Sequence, residues 1–150
     1  MKEYYICKYN LNAMHSVNHD IEKSHGHTFH IELYVERKEP GNKDYVVSDD
    51  INTVDVVVNA YLKQYEGNNL STMKPFVGMG TTIEEIGECF FETIGELLQE
   101  TPFELFQLNI SENPLFVYQV TKKIYLPIIN MENTISNYEV IRRQQDLLRS

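Results

Sequence analysis

An α+β fold of order ββααββ, an antiparallel sheet with two helices on one face and a helical C-terminal extension, is predicted by two features of the chain. Apolar and polar residues alternate in two segments near the N-terminus and two beyond residue 100, whereas apolar residues recur at helical spacing in the stretch between. Strands in two hairpin pairs, with the helices between the pairs, leave those helices to cover one face of a single sheet.

The first strand starts at Tyr5: Tyr5, Cys7, Tyr9, Leu11 and Ala13 share one face, Lys8, Asn10 and Asn12 the other, and His15 continues the apolar face. In the second, Phe29, Ile31, Leu33 and Val35 interleave with Thr28, His30, Glu32, Tyr34 and Glu36, and the apolar face extends back through His27 to His25. The turn-rich EPGNKD stretch closes this strand, and Ile51, Val54, Val58, Tyr61 and Leu62 then recur at helical spacing. Thr82 with Glu85 three residues on is a capping box, opening a second helix that carries Ile83, Ile86, Phe90, Ile94, Leu97 and Leu98. Phe106, Leu108 and Ile110 alternate with Gln107 and Asn109 as a third strand whose apolar face ends on Glu112, and the SENP break leads to a fourth over residues 115–124. Ser136 with Glu139, ahead of Val140, Ile141, Leu147 and Leu148, predicts a short helix in the tail.

No repeat or linker divides the 150 residues, so one domain is expected over 1–127, followed by an extension over 128–150. No apolar run approaches the roughly 20 residues of a membrane helix. The N-terminus lacks a secretory pattern and only Cys7 and Cys89 could pair, so the cytoplasm is the expected compartment. A net charge of -9 argues against a sequence-independent hold on nucleic acid, which needs clustered Lys and Arg.

Residues two apart on a strand point the same way, so His25 and His27 can reach one ion, and His15 has the matching facing. Three neutral imidazoles suit zinc and leave a fourth position open for water or substrate. By periodicity alone, three separate histidines with satisfied hydrogen bonds stand as an equal alternative. His30 faces the other way and His19 falls in a polar loop, so neither joins the set. Glu112 is the second anomaly, because a carboxylate on an apolar face is costly to bury without a partner. It matches the paired N–H donors of a guanidine-like edge, as in pterins and guanines; a strand-end carboxylate turned into water is the alternative.

These residues resemble the 6-pyruvoyl-tetrahydropterin synthase and 6-carboxy-tetrahydropterin synthase family over about residues 5 to 120. LNAMH ending in His15, HGH at 25 to 27, VVSDDINTV with Asp50, TTIEE with Thr82 and Glu84, and ISEN with Glu112 come in family order. The resemblance implies a tunnelling fold assembled into stacked rings, commonly homo-hexamers, with sites between subunits. It implies a zinc-dependent lyase acting on dihydroneopterin triphosphate, with Glu112 gripping the pterin and Thr82 near it. The cysteine that serves as base in many members is missing, since position 21 is isoleucine. A subgroup carries glutamate three residues before HGH, and Glu22 fits that variant, for which the implied product is 6-hydroxymethyl-dihydropterin, a folate precursor.

One departure bears on activity. Family members usually carry an Asp-His pair before Leu-Asn; aligned on Leu70, this chain has Glu66 and Gly67 there. Loss of such a proton-handling group commonly costs about 10² to 10⁴ in rate. The alternative to an active enzyme is therefore a family member that binds zinc and a pterin-like ligand without turnover.

Overall fold

The computed structural model describes residues 3–16, 21–38, 50–78 and 81–123. Its sheet runs β1 (Tyr5–His15), β2 (His25–Arg37), β3 (Phe103–Asn113), β4 (Phe116–Thr121), in that spatial order and antiparallel throughout. Two helices, α1 (Asn52–Lys63) and α2 (Ile83–Leu97), intervene between β2 and β3, which gives the expected ββααββ order.

β1 and β2 pair without a shift from Tyr5↔Val35 to His15↔His25, so Leu11, Ala13 and His15 lie on one face with Phe29, Ile31, Leu33 and Val35. That face is covered by the helices. Thr82 caps α2 by accepting from Glu85 N, and Ile86, Phe90 and Ile94 on its inner side are buried with Val54, Val58 and Leu62 of α1. Gly87 lets α2 approach β3 and β4 closely, since a Cβ there would lie 3.0 Å from both Ile110 and Tyr118. At the head of α1 the Asp50 carboxylate accepts from Asn52 N at 3.0 Å, a bond that holds its pKa below the ordinary value.

Three expectations need correction. Phe106 does not share the face of Leu108 and Ile110: the pairing shifts so that Val35 meets Leu105 and Tyr34 meets Gln107. The residue between them is left without a partner across the strand, as in a bulge. Leu105 fills the core, while Phe106 packs on the other face under Lys123 Nζ, 4.0 Å from its ring centroid, and against Tyr4. Leu97 is exposed, because the α2 stripe ends in a 3₁₀ turn, Leu98–Glu100, that buries Leu98 instead. β4 begins and ends inside the span expected for it. The predicted tail helix, the extension 128–150 and His19 lie outside the described residues.

A candidate metal centre at the end of the sheet

The last pair of the β1–β2 ladder is His15↔His25, with Ala13↔His27 two steps inward. The period of the strands therefore gathers the histidines at one end of the helix-covered face. Their ligand nitrogens all lie within 4.8 Å of one another, and this is the cluster of potential metal ligands found among the described residues. Ring centroids are 4.5 Å apart for His25 and His27, 5.0 Å for His15 and His25, and 5.1 Å for His15 and His27.

Hydrogen bonds select the tautomers. His15 Nδ1 lies 2.6 Å from Thr81 O, and His25 Nδ1 lies 3.2 Å from Lys23 O. A carbonyl only accepts, so both Nδ1 atoms carry the hydrogen and both Nε2 atoms keep a free electron pair. Nε2 of His15 and Nε2 of His27 are buried and have no hydrogen-bond partner. Leaving such atoms unpaired costs about 1–3 kcal/mol each. A divalent ion bound by the three imidazoles removes that cost, so the residues present fit a metal.

Glu112 closes the other side. Its Oε1 is 3.1 Å from His15 Nε2 and its Oε2 is 3.5 Å from His27 Nε2, and neither contact is a hydrogen bond. Burial, partly offset by this carboxylate and reinforced by His25 and His15, lowers the pKa of His27 and favours its neutral, ligating form.

The other expected residues fall as follows. Glu22 sits exposed on a 3₁₀ turn, Ile21–Lys23, just ahead of His25. The Thr82 hydroxyl is engaged with Glu85 as the α2 cap, and its neighbour Thr81 is the residue that meets His15. Sequence reading missed Thr81, because nothing in a TT pair tells which carbonyl faces a ring. Both oxygens of Glu66 accept from Asn12, from N and Nδ2, at 3.0 Å each, and Gly67 N donates to Asn12 O at 2.7 Å. Gly67 has φ 73° and borders, with His27 and Gly26, a cleft of about 370 Å³. His30 turns to the opposite face and meets Asn10 Oδ1 at 2.8 Å. Cys7, eight residues up β1 at about 3.3 Å each, is roughly 26 Å from His15. A larger cavity of about 870 Å³ lies at the far end of the sheet, among Tyr5, Arg37 and Glu104, away from all three histidines.

Residues 5–123 match the family described as 6-pyruvoyl tetrahydropterin synthase, and the chain belongs to that family. Solved structures of the same fold include 6-pyruvoyl tetrahydropterin synthase of Caenorhabditis elegans, at 15% identity and TM-score 0.64 over 82% of this chain and 97% of that one. A variant of the Plasmodium vivax enzyme altered at a catalytic residue gives 15% and 0.58 over 83% and 99%. The Plasmodium falciparum enzyme gives 16% and 0.56 over 82% and 99%. At such identities the likeness speaks for the fold, which is the expected α+β tunnelling fold. By sequence, no curated protein matches. Family membership points to pterin-related chemistry of the lyase type. Among the described residues no helix is long and apolar enough to cross a membrane.

Proposed function

We propose that the protein is a zinc-dependent pterin synthase-like enzyme acting on dihydroneopterin triphosphate or a related reduced pterin, eliminating triphosphate or a longer side-chain fragment. The observation that carries this reading is the set of three clustered imidazoles, two of them with buried Nε2 atoms that no protein group satisfies. His15, His25 and His27 hold the ion, which when bound supplies Lewis acidity to a substrate oxygen. Glu112, bordering the ion's position, holds the guanidine-like edge of the heterocycle through paired hydrogen bonds. Thr82 stands near that ring at the head of α2. Glu22, on the turn that leads into His25, takes the proton from carbon. In the Plasmodium vivax enzyme the altered catalytic residue is likewise a glutamate. The protein works as a cytoplasmic homo-oligomer, a hexamer by family likeness, with a small-molecule partner and no nucleic acid or membrane.

A second reading, binding of zinc and a pterin-like ligand without turnover, is favoured by one observation. Glu66, the residue aligned with the family aspartate, has both oxygens committed to Asn12, and Gly67 beside it has no side chain. The experiment that decides is mass-spectrometric product analysis after zinc-loaded protein meets dihydroneopterin triphosphate, run beside Glu22→Ala. Turnover toward 6-hydroxymethyl-dihydropterin that vanishes in the variant supports the enzyme; intact substrate with both proteins supports the binding protein.

A further inference from the structure

The imidazoles of His15 and His25 end the β1–β2 ladder, so among the described residues no further pair of that ladder lies beyond them, whereas His27 is fixed within it. A short 3₁₀ turn, Leu70–Thr72, with its cap Asn69, stands against this open end. Its polar groups run to residues that hold or adjoin both terminal ligands.

On the His15 side, Thr81 O receives the Nδ1 hydrogen of His15. The Thr81 hydroxyl gives its single hydrogen to Ser16 O at 2.7 Å, so the 2.8 Å contact between Ser71 Oγ and Thr81 Oγ1 is donated by Ser71. Ser71 Oγ in turn accepts from Ser16 N at 2.9 Å. This closes a ring around Ser16 and Thr81, each 1% exposed like His15 itself. Ser71 is held by Asn69, whose Oδ1 accepts from Ser71 N at 3.0 Å. On the His25 side, the same amide's Nδ2 donates to Ser24 Oγ at 2.9 Å, and Ser24 directly precedes His25.

We propose that Asn69 is a positioning residue of the metal centre, one amide that sets His15 through Ser71 and Thr81 and His25 through Ser24. The inference rests on the reading of the histidines as metal ligands. Groups behind metal ligands fix ring orientation before the ion arrives, and removing one typically costs about 10- to 100-fold in affinity. Asn69 touches neither the ion's position nor an imidazole, so its effect falls on metal affinity through the ligands it orients.

The test measures zinc affinity by competition with a chromophoric chelator and the visible absorption of the cobalt-loaded protein. It compares wild type, Asn69→Ser, Asn69→Asp and Ser24→Ala. Serine keeps the cap acceptor for Ser71 N but is too short for Ser24, so the metal-free melting temperature holds. Zinc affinity of Asn69→Ser falls about 10- to 100-fold, while Asn69→Asp, which can accept from Ser24 Oγ, stays within about threefold of wild type. Ser24→Ala reproduces the loss, and combining it with Asn69→Ser adds little, as for two residues on one path. Zinc binding by Asn69→Ser as tight as by wild type, with an unchanged cobalt spectrum, overturns the proposal and leaves the metal site standing. Failure of wild type to bind zinc or cobalt overturns both.

Discussion

The carboxylate of Glu112 stands 3.1 Å from Nε2 of His15, so a carboxylate and a metal-ligand candidate meet at one end of the sheet. β3 brings it there by continuing the face of Leu108 and Ile110 past the edge of the packed core. Glu112→Gln keeps the shape and removes the charge. We expect the affinity of zinc-loaded protein for a reduced pterin to fall about 10- to 100-fold, the worth of a hydrogen bond to a charged group. Fluorescence titration measures this, and equal binding by the variant would exclude Glu112 as the anchor.

The burial of His27 sets the sign of the pH dependence expected of the metal-free protein. Burial lowers its pKa below the ordinary 6.5, so the unfolded chain takes up this proton more readily than the folded one. The stability tied to His27 is whole above pH 6.5 and is lost as pH falls toward the lowered folded value. Urea unfolding of metal-free protein through this window, compared with His27→Gln, should show the slope in wild type and a shallower one in the variant. An identical slope in both would refute the assignment.

Thr82 has two proposed duties that separate cleanly. As the α2 cap it accepts from Glu85 N at 3.2 Å, and Thr82→Ala should cost about 1 kcal/mol of stability. Thr82→Ser should restore it. Pterin affinity measured on the same pair reads the other duty: if alanine and wild type bind alike, Thr82 serves the helix alone.

Gly67 is required by backbone geometry. Its φ of 73° lies where a Cβ is strained, although the space around it is open. Gly67→Ala should therefore destabilise the fold by about 1–2 kcal/mol. Gly67→His, which returns the family's residue type, should carry the same penalty without raising turnover. Chemical denaturation and product analysis read the two effects, and a histidine variant with faster turnover would show that a usable position survives there.

Much of this was legible because strand and helix periods are local. Alternation placed His15, His25 and His27 on one face before any partner strand was known, and the Thr82–Glu85 pair announced the start of α2. Phe106 failed for a physical reason: one inserted residue in β3 reverses the facing of everything before it, and no local pattern reveals which residue is extra. Glu66 was legible only as an aligned letter, since its clamp on Asn12 spans residues far apart in the chain.

What the amino-acid sequence determined by itself was the order of elements and the facing of the histidines, both consequences of spacing along one chain, while its motifs carried the resemblance to the family. The tertiary structure alone decided that Thr81 O holds His15, that Glu66 is bound to β1, and that one amide, Asn69, reaches toward two ligands. Those contacts join residues 45 to 66 apart in the chain, except within the Asn69 turn, and only the packing of the segment between α1 and α2 against β1 and the start of β2 brings them within hydrogen-bond reach.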